Sequence, residues 1–226
     1  MKLKVINSGS VGNCYILTNN DGKHLILDAG LPIAEIKRGL DFDIANVNGC
    51  VVSHEHKDHL LSAKKIKNMG IRVFRPYTIE DKKILKTRIE SFNITSFDVP
   101  HNGTENRGFL ITVDGKTICY ITDFEYCPYN FKEMRINTML VECNYQQTMI
   151  DEMDAHGVHT VLGHAELYTT AEFVKQNMTD SLENVILCHA SQSGHLSKSV
   201  AVTTIKDIVP NNVNVYMAEK GLEVEI

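Results

Sequence analysis

His54-Glu55-His56-Lys57-Asp58-His59 puts three imidazoles and two carboxylates into six consecutive positions. The segment follows Gly49-Cys50-Val51-Val52-Ser53, an apolar run that reads as a buried strand. His54 and His56 are two apart, and on extended chain that spacing presents both rings on one face. Asp58 and His59 come where the strand should give way to a helix over 60–68, so they turn to another side. One short segment can therefore supply ligands to two metal ions. Neutral imidazoles with a carboxylate suit zinc, manganese or iron. The plain alternative is a polar surface loop in a chain that holds ten histidines.

Outward from this segment, apolar strand-like runs alternate with helical patterns. Strands are expected at 3–6, 14–18, 24–28, 50–53, 71–74, 94–99, 108–113, 117–123, 138–142, 184–189, 213–217 and 222–225. Helices are expected at 33–40, 60–68, 79–88, 147–156, 170–177 and 197–208. Asn20-Asp21-Gly22 and Asp114-Gly115 mark hairpin turns. Pro32 suits the first turn of a helix. Antiparallel hairpins thus mix with helical crossovers. The expected fold class is α/β, with two mixed β-sheets packed face to face and helices outside, a four-layer αββα sandwich. A single domain over 1–226 fits the length of 226 residues.

The charge and cysteine pattern bounds the function. A net charge of −5 argues against a protein coated for nucleic acid, although a local basic groove is compatible with it. Lys64, Lys65 and Lys67 form one basic cluster, and Lys82, Lys83, Lys86 and Arg88 another; a solvated helix face is the plain reading of both. The six cysteines form no Cys-x-x-Cys pair. Several sit in apolar runs, as buried free thiols do, so a reducing cytoplasm is expected. No apolar run is long enough to span a membrane. The segment Met1–Asn7 reads as a first strand, lacking the apolar centre of a signal peptide.

A two-metal site needs further ligands, held at strand ends by a rigid scaffold. Three positions stand out. His101 follows Phe97-Asp98-Val99-Pro100, Asp123 follows Ile118-Cys119-Tyr120-Ile121-Thr122, and His189 follows Asn184-Val185-Ile186-Leu187-Cys188. Asp28 ends another strand before Ala29-Gly30, where a turn-forming aspartate is the plain reading. His164 follows Thr160-Val161-Leu162-Gly163 at the entry to a helix. The Ser/Gly-rich stretch 191–197, with Ser191, Ser193 and His195, could present backbone N–H groups to an anion. Ser197 acting as a helix N-cap accounts for it without a ligand. His156 and His159 lie three apart, and His24 precedes a strand.

The series Asp28, His54-x-His56-x-Asp58-His59, His101, Asp123 and His189 resembles the five sequential motifs of the metallo-β-lactamase fold superfamily, in its hydrolase and nuclease branch. The opening Asn7-Ser8-Gly9-Ser10-Val11-Gly12-Asn13-Cys14 resembles the Gly-Ser-x-Gly-Asn start of the YycJ/WalJ-type metallohydrolases. Leu27-Asp28-Ala29-Gly30-Leu31, Val99-Pro100-His101-Asn102, Glu142-Cys143-Asn144 and Gly163-His164 carry the same likeness. The resemblance implies one metal bound by His54, His56 and His101. It implies a second bound by Asp58, His59 and His189, with Asp123 bridging. Asp28 would orient the metal-binding loop, and Asn13 would pin the opening loop. Two departures stand out: Asn102 where the family often has aspartate, and Ala190-Ser191-Gln192-Ser193 where it usually has Ser-Arg. The second weakens phosphate binding at that end, for which Lys198 could compensate.

The function implied is a hydrolase using two divalent ions, Zn²⁺ or Mn²⁺, and a bridging hydroxide. It would be a phosphodiesterase or nuclease on DNA or RNA. Asp58 could also accept a proton, and His164 is the candidate general acid. His164, Ser191 and Ser193 are the candidate substrate contacts. Hydrolysis of a small phosphodiester such as a cyclic nucleotide is one alternative, favoured by the acidic net charge. A thioester or lactam hydrolase shares the metal chemistry. A non-catalytic metal-binding regulatory module is the alternative of another class.

Overall fold

The computed structural model describes residues 1–79, 82–149, 163–191 and 195–226. The strands are β1 (Lys2–Asn7), β2 (Cys14–Thr18), β3 (His24–Leu27), β4 (Val47–Val51), β5 (Arg72–Phe74), β6 (Ile84–Ile89), β7 (Phe92–Val99), β8 (Asn106–Val113), β9 (Lys116–Ile121), β10 (Thr138–Glu142), β11 (Asn184–Cys188), β12 (Asn214–Met217) and β13 (Glu223–Glu225). The helices are α1 (Ile33–Gly39), α2 (Lys57–Leu60), α3 (Ala63–Asn68), α4 (Leu167–Asn177) and α5 (Lys198–Lys206). They build a six-stranded sheet, β13-β1-β2-β3-β4-β5, and a seven-stranded sheet, β12-β11-β10-β9-β8-β7-β6. Strands β3, β4 and β5 run parallel, as do β9 to β12; hairpins and the pairing of β1 with β13 supply the antiparallel remainder.

Strand alternation assigns each side chain to a layer. Tyr15, Leu17, Leu25, Leu27 and Val51 of the first sheet meet Phe109, Ile118, Tyr120, Leu140 and Ile186 of the second in a shared core. Their neighbours Cys14, Ile16, Ile26 and Cys50 face outward, under Ile36 of α1 and Ile66 of α3. Cys119, Ile121, Met139, Val141, Val185 and Leu187 face outward on the other side, under Phe173 and Val174 of α4 and Ala201 and Ile205 of α5. Strands covered on both faces read as continuous apolar runs, so these segments were visible in the sequence. The result is the expected four-layer αββα sandwich.

Three expectations are corrected. Where a helix was expected at 79–88, residues from Ile84 on form β6, an edge strand paired with β7 from Ile84↔Phe97 to Ile89↔Phe92, while positions 80 and 81 lie outside the described residues. Its residues alternate between a partly covered face, Leu85, Thr87 and Ile89, and an exposed face, Lys86 and Arg88. Period-2 burial against a hairpin partner overrides local helical preference, and edge cations discourage further strand pairing. The helix expected at 60–68 is two helices joined at Leu61-Ser62, and the first already contains Asp58 and His59. At 147–156, the described part Gln147–Met149 is a 3₁₀ turn; positions 150–156 lie outside the described residues. Among the described residues, no helix is long and apolar enough to cross a membrane.

Candidate metal centre

The expected site residues come from the C-terminal ends of strands on one rim of the sandwich. Asp28 follows β3, His54 follows β4, His101 follows β7, Asp123 follows β9 and His189 follows β11; Glu142, not among the expected residues, ends β10 on the same rim. His54 and His56 lie beyond the end of β4, on the loop before α2, rather than on the strand itself. Asp28, Asp123 and His189 have φ of 57°, 52° and 50°. This left-handed backbone costs about 1–2 kcal/mol for a residue with a Cβ, so neighbouring groups must hold it. Asn106 Nδ2 donates to the carbonyls of Thr122 and Asp123, at 2.8 and 2.5 Å. Asn144 Nδ2 donates to the carbonyl of His189 at 2.7 Å. Each amide fixes a bend that swings the next functional side chain off its strand.

Backbone contacts interlock the loops. Asn13 N–H donates to the carbonyl of Asp58 at 2.7 Å, and Gly30 N–H to that of Asn13 at 2.9 Å. A Cβ on Gly30 would stand 1.6 Å from the Asp58 carbonyl oxygen, so this approach admits only glycine. Asn13 is fully buried, its side-chain oxygen accepting from Gly9 N–H at 2.8 Å, and its Nδ2 lies 3.0 Å from His59 Nε2. The opening loop is thereby pinned beside the imidazoles.

The donor atoms converge. His54 Nε2 lies 3.0 Å from His56 Nδ1, which lies 3.3 Å from His101 Nε2. Asp58 Oδ2 lies 3.3 Å from His59 Nε2 and 3.6 Å from His189 Nε2. His54, His56 and His101 therefore form one set whose ligand atoms all lie within 4.8 Å of one another, and Asp58, His59 and His189 form another. Asp123 belongs to two further sets, one with His54 and His59 and one with Glu142, His164 and His189. It stands between the two groups.

Partners behind the rings set which nitrogen carries the proton. His59 Nδ1–H donates to Asp28 at 2.7 Å, His101 Nδ1–H to the Gly163 carbonyl at 2.6 Å, and His189 Nδ1–H to Glu142 at 2.8 Å. Ser53 Oγ donates to Asp28 at 2.9 Å and so accepts from His54 Nδ1–H at 3.0 Å. In each ring Nε2 is turned toward the cluster. His189 Nε2 is buried with no hydrogen-bond partner. A buried, orphaned imidazole nitrogen beside a carboxylate suits a metal ligand, because a buried polar atom left unpaired is costly.

Burial and charge pull against each other here. Burial and the neighbouring His59 press the His54 imidazolium far below its usual range, and burial lowers His101. Burial also opposes charge on His189, but Asp123, Asp58 and Glu142 overcome it and push the ring up to about 10. His59 is likewise raised by Asp123 and Asp28 against the cost of burial. Despite burial, Asp58 is held well below the usual carboxylate range by His189 and His59, and Asp123 by the same two rings. The chain has thus collected carboxylates in a nearly closed site, where charge survives only if paired or metal-bound.

Glu142 escaped the sequence reading as a functional residue. It is fully buried, and its Oε1 lies 2.8 Å from both His164 Nδ1 and His189 Nδ1. Its Oε2 accepts the backbone N–H groups of Phe124 and Ala165, at 3.0 and 3.1 Å. One carboxylate thus orients His164 and His189 and ties β10 to the segments after β9 and before α4. The signal was available: a charged residue closing the apolar run Met139-Leu140-Val141 repeats the pattern that singled out Asp123.

The remaining expected positions lie further out. Ser191 N–H donates to the Asn144 carbonyl, and its hydroxyl is 3.5 Å from His195 Nδ1. Ser193, His156 and His159 lie outside the described residues. Lys198 pairs with Glu219 at 3.0 Å on the surface, which leaves the suggested compensation for the absent arginine without support. His24 is 2.9 Å from Thr18 Oγ1, a contact within the β2–β3 hairpin.

The chain is similar to known proteins. Residues 8–71 match the family model described as the metallo-beta-lactamase superfamily. Over 99% of its length the chain is 23% identical to exodeoxyribonuclease YycJ of Bacillus anthracis, covering 92% of that protein. The metallo-beta-lactamase fold protein YhfI of Bacillus subtilis superposes with a TM-score of 0.77 at 17% identity, over 99% of both chains. Human tRNase Z, short form, superposes with a TM-score of 0.65 at 13% identity, over 100% of this chain and 99% of that one. The layered architecture, the rim of histidines and carboxylates and these likenesses identify the chain as a metallo-β-lactamase-fold protein.

Proposed function

We propose that the chain is a hydrolase that uses two divalent ions, Zn²⁺ or Mn²⁺, to cleave phosphodiester bonds of nucleic acid in the cytoplasm. The observation that carries the reading is the convergence of two donor sets, His54/His56/His101 and Asp58/His59/His189, with Asp123 between them. Two ions held there would lower the pKa of a shared water and take up charge developing on phosphoryl oxygens. The nucleic acid substrate is supported by the glycine-rich opening loop at 7–14 and by full-length similarity to an exodeoxyribonuclease.

The chain's own groups supply the rest. Asp28, Ser53, Gly163 and Glu142 hold the four rings in the tautomer that offers Nε2. Such partners preserve ligand geometry during turnover. Asp58 is kept ionised by His189 and His59, which suits it as a ligand more than as a proton acceptor. His164 is raised above the usual histidine range, since Glu142 outweighs the effect of burial. Glu142 orients the ring through Nδ1, and His164 is the candidate general acid for the leaving oxygen.

The test offers purified protein, with zinc or manganese, single- and double-stranded DNA, RNA, cyclic nucleotides and bis(p-nitrophenyl) phosphate. Cleavage of an oligonucleotide that disappears in both His56→Ala and Asp123→Ala is expected. Undiminished cleavage in both variants would sink the mechanism. Turnover confined to cyclic nucleotides would replace the substrate.

A further inference from the structure

Glu55 and Lys57 alternate with His54, His56 and Asp58 along the loop, but they line a separate groove of about 640 Å³. One wall of that groove is helical. Lys57 comes from α2, Leu61 from the joint between the helices, and Lys64 and Lys67, three apart, from one face of α3. The opposite wall is β5 and its continuation, which bring Val73 and Arg75. Leu60, Ala63 and Val73 make the surface between the charges apolar.

The charge is one-sided. Lys57, Lys64, Lys67 and Arg75 face a single carboxylate, Glu55, in a chain whose net charge is −5. All four cations are exposed, and none has an ion-pair partner among the described residues. Four cations thus stand together in one groove, beside the segment 54–59 that carries four of the candidate metal ligands. Cations on both walls of the groove, with apolar side chains between them, suit a run of phosphates with base faces resting on the apolar surface.

We propose that this groove holds the backbone of single-stranded nucleic acid, binding the nucleotides next to the bond being cleaved. The proposal rests on the phosphodiesterase reading and names where its polymer substrate is gripped. Lys64 and Lys67 contact phosphates, and Leu60 and Leu61 meet the bases.

Binding of a fluorescein-labelled oligothymidylate, followed by anisotropy in chelator so that no cleavage occurs, tests it. Lys64→Ala/Lys67→Ala should bind tenfold or more weakly than the unaltered protein. Loss of two phosphate contacts should flatten the slope of log affinity against log salt by about 1.4. Lys64→Arg/Lys67→Arg should bind as the unaltered protein does. Equal affinity and slope in the alanine variant, with an unchanged melting curve, overturn the proposal, as does failure of the unaltered protein to bind the strand. Hydrolysis of bis(p-nitrophenyl) phosphate by the unaltered protein reports separately on the underlying activity. Hydrolysis without groove-dependent binding removes the groove alone. Groove-dependent binding without hydrolysis removes the activity and keeps the groove.

Discussion

Asp28 touches no candidate metal position, yet it holds the site. It accepts from Ser53 N–H and Ser53 Oγ, and from Tyr120 Oη, and it faces His59 Nδ1. Asp28→Asn removes the charge that makes His59 a strong ligand and sets an N–H₂ among donors. Metal affinity should fall about 10- to 100-fold, read by competition with a chromophoric chelator. Affinity unchanged in this variant would show that His59 does not bind metal. His189 gives a second test. Its ring is pushed up to about 10 by Asp123, Asp58 and Glu142, against burial. An unfolded histidine titrates near 6.5. A raised folded value stabilises the metal-free protein fully below about pH 6.5, and the effect is lost as pH rises toward 10. In chelator, the gap in melting temperature between the unaltered protein and His189→Asn should therefore shrink from pH 7 to pH 10. A gap that widens would mean the buried ring is neutral. At this scale the sequence showed the candidate ligands that close strands, because an ionisable residue after an apolar run is conspicuous. The proton-holding partners were harder to see. Gly163 acts through a backbone carbonyl, and the side chains of Asn106 and Asn144 act on backbone bends, so no spacing announces them.

Among the elements, the loops 7–14, 28–31 and 54–59 are close enough to behave as one part. Gly30 is the point of contact. Gly30→Ala drives a methyl into the Asp58 carbonyl, which is backbone and cannot rotate away. The cost should reach about 3 kcal/mol, lowering the melting temperature by roughly 6–12 °C in a chain of this size. Metal affinity should drop with it. Gly22 has nothing within 4 Å of the same atom, so Gly22→Ala should cost only about 1 kcal/mol of left-handed strain. Equal melting temperatures for the two variants would show that the loops are not wedged together. Strands β2, β3, β9, β10 and β11 were legible because both of their faces are buried and they read as unbroken apolar runs. Strand β6 was not, because Lys86, Thr87 and Arg88 break its run and its pairing with β7 is decided across a hairpin. The break between α2 and α3 was hidden for a related reason. Ser62 Oγ donates to the Leu31 carbonyl at 2.6 Å, a contact to a distant loop that interrupts an otherwise helical pattern.

At the scale of the whole molecule, the candidate site draws on both sheets. His54, His56, Asp58 and His59 stand on the six-stranded sheet; His101, Asp123, Glu142 and His189 stand on the seven-stranded one. Metal should therefore clamp the halves together. With zinc or manganese at 100 times its dissociation constant, the native state gains about 2.7 kcal/mol, seen as a rise of roughly 5–11 °C in melting temperature. Asp123→Ala should lose most of that rise. A melting temperature indifferent to metal would argue that no ion joins the sheets. The sandwich itself was readable as a whole, since strand-rich halves with helical crossovers admit few packings. The basic groove was readable only as a cluster of lysines, because Arg75 and Val73 reach it from another strand.

The backbone N–H of His189 donates to Ser8 Oγ at 2.8 Å, across 181 positions of chain. That link sets an order of events in time. A donor set assembled from the first sixty residues and the last forty cannot close until the strands between them have paired, and closing so long a loop is slow. Metal capture should thus be among the last steps of refolding. A chromophoric chelator competing for the ion during refolding should report capture only after the main fluorescence phase is complete, so that the chain reaches its final architecture before it acquires its chemistry.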